Sequence, residues 1–233
     1  VRIIDNAAFF DCQQLVDVKF GHRLEVIRFA AFSQCISLRH VTMPSCRDIE
    51  VVAFFCCEQL TDLDLPAGLQ RIQRRAFRRC FNMRRIGMPL RLNMLDSDIF
   101  NYCENLVEVD FGGTIQRITS QLSLDSWGND IQEKVNLFNN RVLPTIPSNL
   151  KTKALQQCIE SIMDKIKFYK SEHNQLLKRA ATILELALWK AQMEREMVQQ
   201  TTLDVSHRAD CRYVCKSDVV ITNVMSFLLL PPE

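Results

Sequence analysis

Glycine is scarce in this chain, at six among 233 residues. Its one adjacent pair, Gly112-Gly113, follows a strand-like segment as a turn, and no glycine-rich phosphate loop is present. Histidine is scarcer still: His22, His40, His173 and His207 are scattered along the chain. No Ser, Cys or Thr stands at a known nucleophile spacing from a histidine or an acid. These gaps argue against catalysis, so the expectation is a non-enzyme without a cofactor. Neither sign of charge dominates, with 29 basic and 27 acidic side chains and a formal net charge of +2. That balance excludes a global attraction to nucleic acid or to an acidic membrane surface. No apolar run reaches the ~18–20 residues of a membrane-crossing helix. Residues 1–10 lack the basic start and apolar block of a secretory signal. The chain opens in mid-pattern at Val1, however, so this last absence excludes little.

What is abundant is a period. Phe9, Phe32, Phe54, Phe77 and Phe100 stand 23, 22, 23 and 23 residues apart, and each is followed three residues later by Cys12, Cys35, Cys57, Cys80 or Cys103. A step of that length, held through two residue types, marks a solenoid of stacked coils. The rest of the grid agrees. Each copy opens on Ile4, Ile27, Ile49, Ile72 or Leu95. The residue before Phe is Ala8, Ala31, Ala53 or Ala76, and Ile99 in the last copy. After Cys come Leu15, Leu38, Leu60, Met83 and Leu106, then Val18, Val41, Leu63, Ile86 and Val109. Each copy ends with Phe20-Gly21, Met43-Pro44, Leu65-Pro66, Met88-Pro89 or Phe111-Gly112. The second copy is one residue short between Met43 and Ile49, which accounts for the step of 22.

The segment around Val18-x-Phe20 alternates as a short strand does, and Pro or Gly then turns the chain. The Ala-Phe-x2-Cys segment returns on the opposite side, read as a short helical turn. The alanine allows close backbone approach, and the phenylalanine fills the coil. Five of the ten cysteines occupy one repeat position beside apolar neighbours. They read as a buried column of free thiols acting as small hydrophobes. Free thiols favour an intracellular, cytoplasmic location, with the extracellular surface as the alternative.

The motif Ile-x3-Ala-Phe-x2-Cys-x2-Leu, with Pro after the strand, resembles the BspA-type leucine-rich repeat over residues 4–118. The resemblance implies a curved solenoid that binds other macromolecules without catalysis. The implied fold class is an α/β repeat, with short parallel strands and irregular or short helical returns. An α-helical C-terminal module follows. The exposed end of coil one lacks the polar cap that such arrays need. Either upstream repeats cover it, or residues 1–9 do.

The expected organisation is a solenoid over 1–127, a linker or degenerate coil over 128–149, and a helical hairpin with a tail over 150–233. Residues 151–170 carry Leu155, Ile159, Ile162, Met163 and Ile166 at helical spacing. A second amphipathic segment over 172–198 carries Leu176, Leu177, Ala180, Ile183, Leu184, Ala187, Leu188 and Ala191. The pair reads as an antiparallel hairpin that caps the solenoid, packs its own core, or serves as a docking, tethering or dimerising coil. A short helix over 207–216 would place His207, Cys211 and Cys215 on one face. Structural zinc takes four ligands and no fourth is near, so no metal site is assigned. An apolar stretch over 219–230 is too short to cross a bilayer and reads as a buried terminal helix, with a partner-binding peptide as the alternative.

Two surfaces are candidates for binding. The outward strand positions are Asp17, Lys19, His40, Thr42, Asp62, Asp64, Arg85, Gly87, Glu108 and Asp110, two bases against five acids. Solenoids bind on such a concave strand face, and its acidity suits a basic protein or peptide. The second surface lies in residues 71–91, which hold eight arginines and no acid. Of these, Arg74, Arg75, Arg78 and Arg79 fall on the return segment of coil four. They form a candidate anion site for phosphate, nucleic acid or an acidic protein. A third reading, an enzyme with a site where the solenoid meets the helices, has no motif behind it. Oligomeric state has no signature in the sequence.

Overall fold

The computed structural model describes residues 1–121 and 125–203. The chain divides into two compact units, Val1–Lys167 and Phe168–Glu233. The first is a parallel-strand solenoid of five coils followed by helices. Its strands in chain order are β1 (Ile3–Ile4), β2 (Asp17–Lys19), β3 (Val26–Ile27), β4 (His40–Thr42), β5 (Asp48–Ile49), β6 (Asp62–Asp64), β7 (Arg71–Ile72), β8 (Arg85–Gly87) and β9 (Glu108–Asp110).

Each of the first four coils thus supplies two strands, where the sequence pattern announces one. The aliphatic residues that open the repeats form a sheet of their own, β1-β3-β5-β7. Ile4, Ile27, Ile49 and Ile72 are in register, and Leu95 extends the row by a bridge to Ile72. A two-residue strand is too short to show alternation, which is why this sheet is invisible to periodicity. The anticipated strands form the ladders β2-β4 and β6-β8-β9. The break between β4 and β6 falls at the coil that is one residue short.

The interior follows the grid. Phe32, Phe54, Phe77 and Phe100 are fully buried. Successive rings from Phe9 to Phe100 lie 5.0, 5.2, 5.4 and 6.1 Å apart and within 10° of parallel. Removing such a ring from a packed core costs about 3–5 kcal/mol. The cysteines do more than fill space. Cys35 Sγ donates to the Phe9 carbonyl at 3.0 Å, Cys57 to Phe32 at 3.2 Å, Cys80 to Phe54 at 3.2 Å and Cys103 to Phe77 at 3.0 Å. Each thiol therefore satisfies a carbonyl of the preceding coil. Phe9 keeps its place in the stack but not the expected burial: it is 37% exposed and Cys12 is half-buried, because no coil covers their outer side in the described structure.

The return segments are not helical, contrary to the sequence reading. Each is a ribbon of turns with two residues of positive φ, at Ala7/Asp11, Ala30/Gln34, Val52/Cys56, Arg75/Arg79 and Asp98/Tyr102. These left-handed residues turn alternate backbone N–H groups toward the next coil. Phe32 N–H reaches Ala53 O at 2.8 Å and Phe54 N–H reaches Ala76 O at 2.8 Å. A third side of the solenoid is therefore hydrogen-bonded without being a sheet. Val52 adopts φ 51° despite its branched side chain, a conformation that β-branched residues rarely hold.

After β9 come α1 (Gly112–Gln121), α2 (Asp125–Leu137), a π-helical turn (Phe138–Val142) and α3 (Ser148–Leu203). Helix therefore occupies most of the stretch read as linker. Its Asn and Gly residues lie inside turns of helix rather than breaking them. Ile131, Val135, Phe138 and Leu143 are buried. The expected two-helix hairpin is also corrected, since α3 runs unbroken through residues 170–172. No Pro or Gly interrupts it, and Lys170-Ser171-Glu172 carries no turn signal strong enough to end a helix.

The N-terminal part of α3 closes the last coil. A coil at the end of a solenoid leaves its hydrogen-bonding groups open, and here side chains meet them. Lys151 Nζ donates to Glu104 O at 2.8 Å and Leu106 O at 2.7 Å, while Gln156 Nε2 donates to Leu95 O at 2.8 Å. Thr152 Oγ1 accepts from Phe100 N–H at 3.1 Å and Ser148 Oγ from Tyr102 N–H at 3.2 Å. Asn139, in the π-helical turn, pairs with Val109 of β9. Leu155, Ile159, Ile162 and Ile166 are buried along the same stretch.

In the second unit, α3 carries Leu176, Ile183, Leu186 and Trp189 exposed. No helix among the described residues is long and apolar enough to cross a membrane. The segments at 207–216, with His207, Cys211 and Cys215, and at 219–230 lie outside the described residues.

Candidate functional site

The ladders set the strand-face residues in two columns. Asp17 is in register with His40, and Asp62 with Arg85 and Glu108. Lys19 is in register with Thr42, and Asp64 with Gly87 and Asp110. Alternation points these residues outward, while Val41, Leu63, Ile86 and Val109 between them are buried.

Arg85 is the hub of this face. Its Nη1 donates to Asp64 Oδ1 at 2.8 Å and its Nη2 to Asp110 Oδ2 at 2.7 Å, while Nε lies 3.7 Å from Glu108 Oε1. One guanidinium thus bridges carboxylates on the two flanking strands. Its side chain is 28% exposed, against 75% for Asp64. The Asp110 hydrogen bond raises the Arg85 pKa against its partial burial, and Asp64 adds to the effect. Partial burial of Asp110 opposes its ionisation. The Arg85 guanidinium and the Gly112 N–H, 2.6 Å from Oδ1, outweigh it and hold that carboxyl below its usual range.

Gly87 makes the bridge possible. A Cβ at this position would collide with Asp64 Oδ1 and lie 3.5 Å from Arg85 Nη2. The Asp64 carboxylate occupies the space that a side chain at 87 would take, with the guanidinium at contact distance beside it. The acidic strip legible in the sequence is therefore partly answered from within. Three of its five acids face Arg85. Asp62 and Asp17 have no ion pair among the described residues. Beside the bridge a shallow cavity of about 260 Å³ opens between Asp64, Asp110, Leu65, Met88, Phe111 and Arg117.

The eight arginines of residues 71–91 are divided among different sides of the coil. Arg85 belongs to the strand face. Arg71 pairs with Asp96 at 3.1 Å, and Arg74 Nε lies 3.7 Å from Asp98. Arg78 and Arg79 stand over the Tyr102 ring, at 5.2 and 5.7 Å from its centroid. Arg74, Arg75, Arg78 and Arg79 do not sit on the helical turn expected of the return segment. Arg75 and Arg79 are the left-handed residues of a turn ribbon, with φ 59° and 63°.

The capping residues Asn139, Ser148, Lys151, Thr152 and Gln156 are absent from the sequence reading. One signal was available for Lys151. It holds the first position of the stripe continued by Leu155, Ile159 and Ile162, and a lysine on an apolar stripe needs an acceptor. It is 2% exposed, and burial lowers its pKa. Among the described residues no group of three His, Cys, Asp or Glu could hold a metal ion.

No curated protein matches the chain. Among solved structures it is similar to a leucine-rich repeat protein from Bacteroides ovatus, with 32% identity over 43% of this chain and 26% of that one, at a TM-score of 0.41. It is also similar to the pneumococcal vaccine antigen PcpA, with 19% identity over 47% of this chain and 27% of that one, at a TM-score of 0.42. A leucine-rich repeat protein of T. pallidum shows 24% identity over 48% of this chain and 63% of its own, at a TM-score of 0.38. The chain thus spans about a quarter of the length of the first two. Residues 2–126 match the BspA-type leucine-rich repeat region in six copies, one more than the five Phe-Cys coils. That match covers more than half of the sequence, and the protein belongs to the BspA-type leucine-rich repeat family.

Proposed function

We propose that the protein is a non-catalytic recognition module that binds a basic peptide or protein segment on its strand face. The observation that carries this reading is the charge arrangement around Arg85. Asp62 and Asp64 on β6 and Glu108 and Asp110 on β9 flank the single guanidinium of Arg85 on β8, which leaves the patch acidic. The neighbouring cavity offers apolar contact from Leu65, Met88 and Phe111. Exposed ion pairs contribute only about 0–1 kcal/mol each. The partner therefore combines Lys or Arg with an aliphatic or aromatic side chain that enters the cavity. The free-thiol column favours a reducing compartment, with an extracellular setting as the alternative.

The test is selection of peptides from a displayed random library on the full chain, followed by titration of the winners. Enrichment of Lys or Arg beside an apolar residue is expected. So is loss of affinity in Asp62→Asn/Glu108→Gln, a pair chosen to leave the Asp64–Arg85–Asp110 bridge in place. Peptides that bind this variant unchanged would move the site elsewhere.

A further inference from the structure

We infer that the turn face of coil four, built from Arg75, Arg78 and Arg79 against Tyr102, docks an acidic peptide segment that also carries apolar side chains. This surface is separate from the strand face and rests on different residues.

The charge there is uncompensated. Among the described residues no carboxylate lies within ion-pair distance of Arg75, Arg78 or Arg79, and the nearest pairing on this segment is the long Arg74–Asp98 contact at 3.7 Å. The Nε–H donors of Arg75 and Arg78 are shielded from solvent and have no partner. Two of the guanidinium groups, those of Arg78 and Arg79, are also held in place. Arg78 and Arg79 stand over the Tyr102 ring, whose own backbone N–H is fixed by Ser148. Cation–π contact favours guanidinium planes laid on the ring, and Arg's flat fork then suits a carboxylate with two parallel hydrogen bonds.

The neighbouring coils choose among anionic partners. The turn-ribbon hydrogen bonds stack equivalent positions, so residues 10, 33, 55, 78 and 101 form one column and residues 6, 29, 51, 74 and 97 another. In coils one to three these columns carry Phe10, Phe29, Val51 and Phe55 and no basic residue. Phe10 is 48% and Phe29 51% exposed. Coil five answers with Asp98 and Asn101. A nucleic acid backbone asks for basic groups repeated along its path. Here the basic charge is confined to one rung, between an apolar flank and an acidic residue. That pattern fits a short segment with carboxylates over coil four and apolar side chains over coils two and three.

The probe is a fluorescein-labelled synthetic peptide of repeating Glu-Glu-Phe, titrated with the full chain and read by anisotropy. Binding is expected, weakened at least about tenfold by Arg75→Gln/Arg78→Gln/Arg79→Gln. The control Arg71→Gln/Arg91→Gln removes charge from the same stretch and should leave it unchanged. Phe29→Ser should weaken the peptide but not poly-glutamate. If the triple variant melts early, Tyr102→Leu serves instead, with a smaller loss. Unchanged peptide binding in these variants overturns the proposal. So does tighter binding of an oligothymidylate with a steep loss on added salt, which would make the face a nucleic-acid edge.

Discussion

The side-chain amide of Asn139 pairs with both backbone groups of Val109. Its Oδ1 accepts from the Val109 N–H at 3.1 Å, and its Nδ2 donates to the Val109 carbonyl at 2.9 Å. A carboxamide has the donor and acceptor of a peptide unit, so one side chain imitates the next strand. Together with Lys151, Thr152, Ser148 and Gln156 it gives the last coil the partners that another coil would supply. Asn139→Ala would leave two half-buried backbone groups unmet, at a cost of about 1–3 kcal/mol. Urea unfolding should show that loss, and amide exchange at Val109 should quicken. Asn139→Asp should do no better, because its second oxygen would face the Val109 carbonyl.

The phenylalanine stack predicts a gradient. Phe54 lies between Phe32 and Phe77, fully buried, whereas Phe9 has a ring neighbour in the stack on one side only. Phe54→Ala should lose about 3–5 kcal/mol, and Phe9→Ala clearly less. Denaturant midpoints of the two variants measure the difference. Equal losses would mean that the outer side of coil one is covered in solution.

The cysteine column predicts both reactivity and an alkaline limit. Burial pushes the Cys35 thiol up to about 11, and burial also drives Cys57 and Cys80 well above the ordinary value. A thiol whose pKa is raised by folding contributes stability that is complete below its unfolded value, about 8.5, and lost as pH rises through the folded value. The melting temperature should therefore hold to about pH 9 and fall steadily by pH 11. In thiol titration of the native protein at pH 8, Cys35, Cys57, Cys80 and Cys103 should resist, with Cys12 and Cys56 reacting first among the described thiols. Rapid labelling of the four buried thiols without unfolding would contradict the packing.

The period was legible because stacking forces the same interior contact at the same phase of every coil. Phe, Cys, Leu and the strand aliphatics repeat for that reason, and one sequence displays it five times. The turn ribbons were not legible. Their left-handed positions are filled by Ala, Val, Arg, Asp, Gln, Cys and Tyr rather than by glycine, so no turn residue marks them. The first sheet was hidden in the single aliphatic that opens each repeat. The cap was hidden because it happens once: Asn139 and Gln156 have no copies to compare, and nothing in their neighbourhood reveals what they face. On the strand face the outward residues were readable from alternation. The Arg85 bridge was not, since it depends on an absent side chain at Gly87 two residues away.

That dependence gives the last prediction. Glycine inside a strand usually costs stability, and exchange for alanine elsewhere in a sheet would gain about 0.5–1 kcal/mol. At position 87 the new methyl group would strike Asp64 Oδ1, while Arg85 Nη2 would lie at ordinary contact distance. The Asp64 carboxylate can swing aside, but only by leaving Arg85. Gly87→Ala should thus forfeit the usual gain in the native background and recover it in Asp64→Ala. A double-mutant cycle between the two should return a coupling of at least about 0.5 kcal/mol. Arg85→Gln supplies the electrostatic half of the test. It removes the main partner that holds the Asp110 carboxyl down, so the Asp110 midpoint, followed by NMR, should rise. A carboxyl with a lowered pKa contributes stability above its unfolded value of about 3.9 and loses it as pH falls through the folded value. Native protein should accordingly weaken with acid below about pH 4 through this group, and Arg85→Gln should blunt that part of the loss. An additive cycle together with an unmoved Asp110 midpoint would mean that the bridge does not persist in solution. The acidic strip would then stand fully open to a basic partner.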